Sequence, residues 1–398
     1  QRSKSKDMKR QAYILYIVLA TLFLAGCSSN ELVTLESKDI TNQDDDDTTL
    51  PINDSYTYKL PVIFHVLYTE DNDSVRALAT QLPRVLGFVN ELYQGNVYSW
   101  RGVYSQNINV DFQPALSDEE GNRLSTPGVV FQKWNGKFPI EASSFMSSKN
   151  TQYIWEPNEY INVIVYPFEQ NTNGSVILGI SHMPYTLDDS THIDGLESAS
   201  AHYISKNNLG FPYCVSINSD YVNRMSTRYT AVDSLGNRTY GRKEYIYDSC
   251  DIVATLAHEL GHYLGLHHVF AEEKKKSSTG SGWTAVDDCF DSDCCDDTPS
   301  YNKVEYDDSL RNAPKGTKMQ TLIARHSCDG EEFESDNIMD YSIGLVFQFS
   351  PEQKERMRHV LYYSPLIPGP KLNHTNTGVE TRVAADNGII NLPIVTSE

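Results

Sequence analysis

Apolar and aromatic residues crowd residues 58–68, Y-K-L-P-V-I-F-H-V-L-Y, a run that predicts the first strand of a central sheet, with His65 inside it as a core histidine. The spacing then changes to that of a helix: Leu78, Leu82, Val85, Leu86, Val89 and Leu92 fall on one face, and the pattern stops near Gly95, with Pro83 obscuring where it starts. Residues 108–116 and 160–168 read as further strands, as does residues 176–185, V-I-L-G-I-S-H-M-P-Y, in which His182 reads as a surface residue. Residues 190–247 show little periodicity apart from an apolar piece at 213–217, and read as loops. Ile252, Val253 and Leu256 follow Asp251, a suitable N-cap, and predict a buried helix. Ser350-Pro351-Glu352 opens a second helix running to about Tyr363, and residues 388–395 add one short strand.

The first of these late helices carries H-E-L-G-H-Y-L-G-L-H-H, residues 258–268. Successive helical residues turn by about 100°, so His258 and His262 share one face, while Glu259 stands beside the first of them. Two imidazoles at this spacing suit zinc, and the carboxylate suits a base that takes a proton from water held at the ion. If the helix continued, His268 would lie about 240° round from His262. Gly265 sits between them and tolerates the positive φ that ends a helix and returns the chain towards the metal. The long form H-E-x-x-H-x-x-G-x-x-H then closes a three-histidine site, with His267 a bystander. A core helix that happens to carry histidines is the plainer reading, but it would bury Glu259 and two imidazoles without a metal to balance them.

At this point the chain resembles the metzincin metallopeptidases, and among them the pappalysin-type family. The residues carrying the resemblance are the histidine motif, D-D-T-P at 296–299 and N-I-M-D-Y at 337–341. The resemblance implies an α+β fold: a twisted, mostly parallel sheet with the active-site helix in an N-terminal subdomain, and, past a split near Gly265, an irregular C-terminal subdomain with a methionine turn and a terminal helix. It implies Met339 as the floor beneath the metal and Tyr341 as a partner of the metal or of the reacting carbonyl oxygen. It also implies that Gly179, Ile180 and Ser181 form the upper rim of the cleft, where an extended peptide adds by backbone hydrogen bonds. The resemblance covers roughly residues 57–364.

Residues 1–27 read as an export signal, five basic residues before an apolar run too short to span a membrane comfortably, closing on a lipobox-like L-A-G-C that makes Cys27 the site of lipid attachment. The polar, acidic residues 28–56 then form a tether, residues 57–364 the catalytic domain, and residues 365–398 a tail. Formal charge is −20 over the whole chain; the signal contributes five positive and one negative charge, leaving −20 − 4 = −24. A field of that sign excludes nucleic acid and anionic lipid as partners of the folded part.

Six further cysteines in an exported chain point to disulfides, although six allow fifteen pairings. Pappalysin-type enzymes carry a bridge between the histidines and the methionine turn, which implies Cys289 with Cys328; Cys214 with Cys250 is a second pairing. Six aspartates lie within residues 287–298, a charge density that needs either solvent or a cation. Relatives bind calcium here, and matching outward from D-T-P points to Asp293, Thr298 and the carbonyl of Asp296. Residues 272–278, charged and polar, read as a mobile insertion.

The expectation is therefore a monomeric zinc endopeptidase acting on proteins or peptides, lipid-anchored in a bacterial envelope at the outer membrane, with calcium as a second ion. A non-catalytic zinc-binding surface protein and a protease that processes only its own tether are the alternatives.

Overall fold

Strand β1 (Tyr58–Tyr68) is the spine of the molecule, and it leads into helix α1 (Asp73–Tyr93). Strands β2 (Val110–Pro114) and β3 (Val129–Lys133) follow, then the short helix α2 (Ala142–Ser147) and strand β4 (Ile161–Tyr166). Both β2 and β3 pair with the same edge of β1, one after the other, and β4 pairs with the opposite edge, all parallel. Every residue of β4 is buried, as expected of a strand covered on both faces of a parallel sheet. The chain is described here from a computed structural model covering residues 55–97, 105–171, 176–201, 203–226, 247–277, 280–369 and 394–397. The export signal, Cys27 and the tether up to residue 54 lie outside the described residues, as do residues 370–393 of the tail.

Next come β5 (Gly179–His182), β6 (Tyr185–Leu187), β7 (Glu197–Ala199) and β8 (Val215–Asn218), of which β8 joins β4 in parallel and β5 joins β8 antiparallel. Helix α3 (Ile252–Tyr263) packs beneath this part of the sheet and against α1. The Tyr93 hydroxyl of α1 donates to the carbonyl of Ala257 at 3.0 Å, tying the two helices together in the core. After α3 come the hairpin β9 (Glu272–Ser277) and β10 (Gly280–Ala285), helices α4 (Lys303–Arg311) and α5 (Met319–Leu322), the hairpin β11 (Ala324–His326) and β12 (Glu332–Glu334), helix α6 (Pro351–Tyr363) and strand β13 (Ile394–Ser397). The main sheet runs β2-β1-β4-β8-β5-β13-β10-β9, with β3 beside β1. The α+β architecture is the expected one, a mostly parallel sheet with antiparallel strands at one end.

Several expectations are corrected. Helix α1 starts at Asp73, capped by the Asn72 side chain accepting from the amide of Val75 at 3.0 Å, and it runs through Pro83. The cost of an interior proline, about 3 kcal/mol, is offset by burial of the whole stripe from Leu78 to Leu92. Residues 272–278 are not a loose insertion over their described part, for β9 pairs with β10 throughout the hairpin. His182 is not at the surface but 1 % exposed, its ring stacked on Phe211 at 4.7 Å. The cause is that β5 is flanked by β8 on one side and β13 on the other, so it is interior to the sheet instead of forming its edge. His65 is a core residue as expected, with its Nε2 2.9 Å from Asn162 Oδ1.

Cys289 and Cys328 form a disulfide, with Cα atoms 5.2 Å apart and a separation of 39 positions in sequence. The alternative pairing of Cys214 with Cys250 is not made: both are free thiols, and Cys214 lies in the core beside Met146.

Two predictions follow from the packing. The bridge closes a long loop, so Cys328→Ser lowers unfolding free energy by about 2–4 kcal/mol, read from urea unfolding of the two chains; an unchanged midpoint would show that the bridge does not constrain the unfolded state. Burial lowers the pKa of both His65 and His182 from 6.5 to about 4. The native rings stay neutral where the unfolded ones gain protons, so their contribution to stability is complete above pH 6.5 and is lost as pH falls towards 4. Thermal melts between pH 7 and 5 are expected to show a shallower pH dependence for His65→Gln than for the parent, and equal slopes would refute the assignment.

Candidate metal centre and catalytic cleft

Helix α3 is capped at its start by Asp251, whose Oδ1 accepts from the amides of Val253 at 2.9 Å and Ala254 at 3.4 Å. Its other end closes in a Schellman motif: the amide of Leu266 donates to the carbonyl of Gly261 at 3.0 Å, and that of Gly265 to His262 at 2.9 Å. Gly265 has φ +92°, and a Cβ there would approach Val360 of α6 to 2.7 Å. The glycine therefore turns the chain and lets α6 pack against the turn, which brings residues 266–268 back across the end of the helix.

This turn brings three ring nitrogens together. His262 Nε2 lies 3.0 Å from His258 Nε2 and 3.1 Å from His268 Nε2, and the remaining pair is 3.2 Å apart. All three residues are buried. Each Nδ1 is engaged elsewhere: His258 with the carbonyl of Ile338 at 2.8 Å, His262 with that of Leu266 at 2.7 Å, and His268 with the carboxylate of Glu272. These acceptors hold hydrogen on Nδ1 and leave each Nε2 a bare acceptor. Burial first, and then the neighbouring rings at His262 and His268, keep the histidines neutral; His258 falls to about 4 and the other two lie well below the ordinary value. Three lone pairs facing one another with no hydrogen between them repel. A cation about 2.0–2.1 Å from each relieves that repulsion, and neutral imidazole is the form that zinc accepts. The residues fit the ion.

Glu272 was not singled out in the sequence. It is buried, and its burial and then Asp293 raise its pKa well above the carboxylate range, against the opposing hydrogen bond of His268. Gly261 was also missed, although it lies inside the motif. Its position explains the floor of the site, because a Cβ at residue 261 would strike the sulfur of Met339, and that contact sets Met339 directly against α3. The turn carrying Met339 is tied down by Asp340, which accepts from Tyr301 at 2.6 Å and from Ser335 at 2.5 Å and pairs with the buried Arg325 at 3.3 Å. Asn337 accepts from the amide of Met339 at 2.8 Å and exchanges hydrogen bonds with Gln353, a member of the capping box of α6. No local spacing in the sequence links Arg325, Asp340 and Gln353.

The Tyr341 ring lies over the same cluster, 4.7 Å from the ring of His268 and 6.1 Å from that of His258, with Lys303 Nζ 4.3 Å from its face. Glu259 is fully buried on α3, and β5 crosses it so closely that a Cβ at Gly179 would fall 2.6 Å from the Glu259 carboxylate. Only a glycine lets the strand pass there. A cavity of about 310 Å³ opens beside His258, lined among others by Leu178, Thr255, Leu310, Tyr341, Ile343 and Val346.

The second predicted ion site is not supported. Thr298 donates its hydroxyl to Asp293 at 2.5 Å and the amide of Cys295 donates to the same carboxylate at 2.9 Å, so Asp293 is satisfied within its own loop, while Asp296 is exposed. Among the described residues, His258, His262 and His268 are the group of histidine, cysteine and acidic side chains placed to share an ion. His267 is a bystander as expected, buried with Nε2 3.1 Å from the carbonyl of Gly195 and its ring against Trp283.

Residues 215–362 match the peptidase M43 family, described as pregnancy-associated plasma protein-A. An extracellular metalloprotease of Arthroderma benhamiae is 34 % identical over 105 residues, 26 % of this chain and 29 % of that protein, and one of Trichophyton verrucosum is 30 % identical over 135 residues, 30 % of this chain and 38 % of that protein. The chain thus spans 29 % of the length of the first of these relatives and 38 % of the second. Mature mirolysin of Tannerella forsythia, solved in complex with a cleaved peptide, is 20 % identical, with 77 % of this chain and 92 % of that chain covered at a TM-score of 0.45. The matched residues 215–362 hold the histidine motif and the methionine turn, so the similarity to pappalysin-type metallopeptidases falls on the part of the chain that builds the site.

Proposed function

We propose that this protein is a zinc-dependent endopeptidase that hydrolyses peptide bonds of proteins or peptides. The observation carrying the proposal is the convergence of three buried Nε2 atoms, two of them from the helix that also carries the buried Glu259. His258, His262 and His268 would hold zinc, which when bound supplies a Lewis acid for the scissile carbonyl and lowers the pKa of water. Glu259 takes the proton of the attacking water and delivers it to the nitrogen of the leaving amine. Tyr341, whose ring packs against that of His268, would donate its hydroxyl to the oxygen of the carbonyl as charge develops on it. Gly179, Ile180 and Ser181 of β5, paired on their outer side with β13, would offer their backbone to an extended substrate where that pairing opens, and the cavity beside His258 takes a side chain next to the scissile bond.

Glu272 is a positioning residue in this scheme, since it fixes the ring of His268 and the proton on its Nδ1. Residues 57–364 form the catalytic domain, divided into subdomains near Gly265. The tether and Cys27 would hold it to a bacterial envelope by lipid, with residues 365–398 as its tail.

Glu259→Ala is expected to keep its fold and its zinc and to lose nearly all hydrolysis of a casein or peptide-library substrate; retention of parental cleavage would remove Glu259 from the role of base. Chelation should abolish hydrolysis by the parent, and added zinc restore it. For Glu272→Ala, zinc retention against a competing chelator is expected to weaken about 10- to 100-fold. Equal retention by variant and parent would mean that other contacts orient His268.

A further inference from the structure

Strand β13 (Ile394–Ser397) lies on the outer edge of β5, antiparallel to it, with Ile394 opposite His182, Val395 opposite Ser181, Thr396 opposite Ile180 and Ser397 opposite Gly179. It also lies against α3, the helix of the two histidines. Gly179 is the residue whose backbone passes directly over Glu259, so the Ser397 end of β13 is the end nearest the catalytic carboxylate. On its other side β13 meets β10, where Gly282 pairs with Ile394 in parallel. The strand thus fills a slot with backbone on both sides, and Val395 within it is 1 % exposed.

We propose that residues 394–397 act as a built-in competitor for the substrate strand: they occupy the edge of β5 as an extended peptide would, and a substrate must displace them to reach Glu259. The inference rests on the reading of β5 as the substrate-binding strand. Three observations favour an occupant over a permanent member of the sheet. The strand is four residues long, so it offers few ladder hydrogen bonds. It is the sole link in the sheet between β5 and the β10–β9 hairpin, so its departure would leave the remaining strand pairings intact. Its sequence, Ile-Val-Thr-Ser, is uncharged and β-branched in three of its four positions, the composition of a strand that adds by backbone bonding and apolar packing.

A protein whose binding-competent state is only a fraction of the total binds its ligand more weakly by that fraction. If the slot is filled nine times in ten, freeing it should lower KM about tenfold with kcat unchanged. Val395→Asp places a charge at a buried position, and Ser397→Pro, at the pair with Gly179, removes an amide that faces β5. Each full-length variant is assayed on a fluorogenic peptide beside the parent. The expected result is a several-fold fall in KM for both variants at unchanged kcat, and competitive inhibition of both by a synthetic peptide of residues 391–398. An unaltered or raised KM, or a lowered melting temperature without a fall in KM, overturns the proposal and makes β13 a structural strand. Should the parent and both variants fail to cleave any peptide, the hydrolytic reading falls and amide exchange decides this one. Protection of Gly179 and Ser181 that is lost in Val395→Asp and restored by the added peptide sustains it; equal protection in both chains ends it.

Discussion

Three imidazole lone pairs held about 3 Å apart inside a protein core are a source of repulsion, and much of the structure around them exists to hold them there. Each ring is fixed from behind by an acceptor drawn from a different part of the chain: Ile338 on the methionine turn, Leu266 in the loop that ends α3, and Glu272 at the start of β9. The rings cannot relieve the repulsion by taking up a proton, because burial disfavours the charged form. A cation is the remaining way to balance the cluster. The three rings and the acceptors behind them thus form a donor set that fits a metal ion.

Glycine provides the clearances on which this arrangement depends. Gly265 lets the helix end and α6 approach, Gly261 admits the sulfur of Met339 against α3, and Gly179 lets β5 cross the carboxylate of Glu259. The second layer is polar and closed. Asp340 and Arg325 form a buried pair with Tyr301 and Ser335 around it, and Arg325 lies with its guanidinium 3.5 Å from the face of Tyr306. Burial alone would lower the pKa of Arg325, but Asp340 and then the tyrosines more than offset it and raise it. The methionine turn thus rests on charge pairing that the protein interior strengthens instead of on the apolar packing that holds the sheet.

The sheet has a related division of labour. Its parallel part runs from β2 to β8, with β4 and β8 buried on both faces, and serves as a back for α1 and α3. From β5 outward the pairing is antiparallel except between β13 and β10, and the elements come from distant parts of the sequence: β13 near residue 395 beside β5 near residue 180. A change of this kind concentrates long-range pairing on the side of the sheet that crosses α3.

The sequence by itself determined what depends on local spacing. The 3.6-residue repeat put His258 and His262 on one face, Gly265 supplied the turn, Asp251 and Ser350 marked the starts of two helices, and dense apolar runs marked β1 and β4, because caps and periodicity act over a few residues. The pairing of Cys289 with Cys328 entered through resemblance, not through spacing. Only the tertiary structure decided what depends on contacts between distant segments. It placed Glu272 behind His268, joined Arg325 to Asp340, drew the thiols of Cys214 and Cys250 apart, and buried His182 by pairing β13 onto β5. It likewise satisfied Asp293 within its own loop, which the bare aspartate count could not foretell. None of these carries a periodic signal: Glu272 is only four residues from His268 but lies beyond the end of the helix, and the other contacts join separate segments or depend on how a loop folds back on itself.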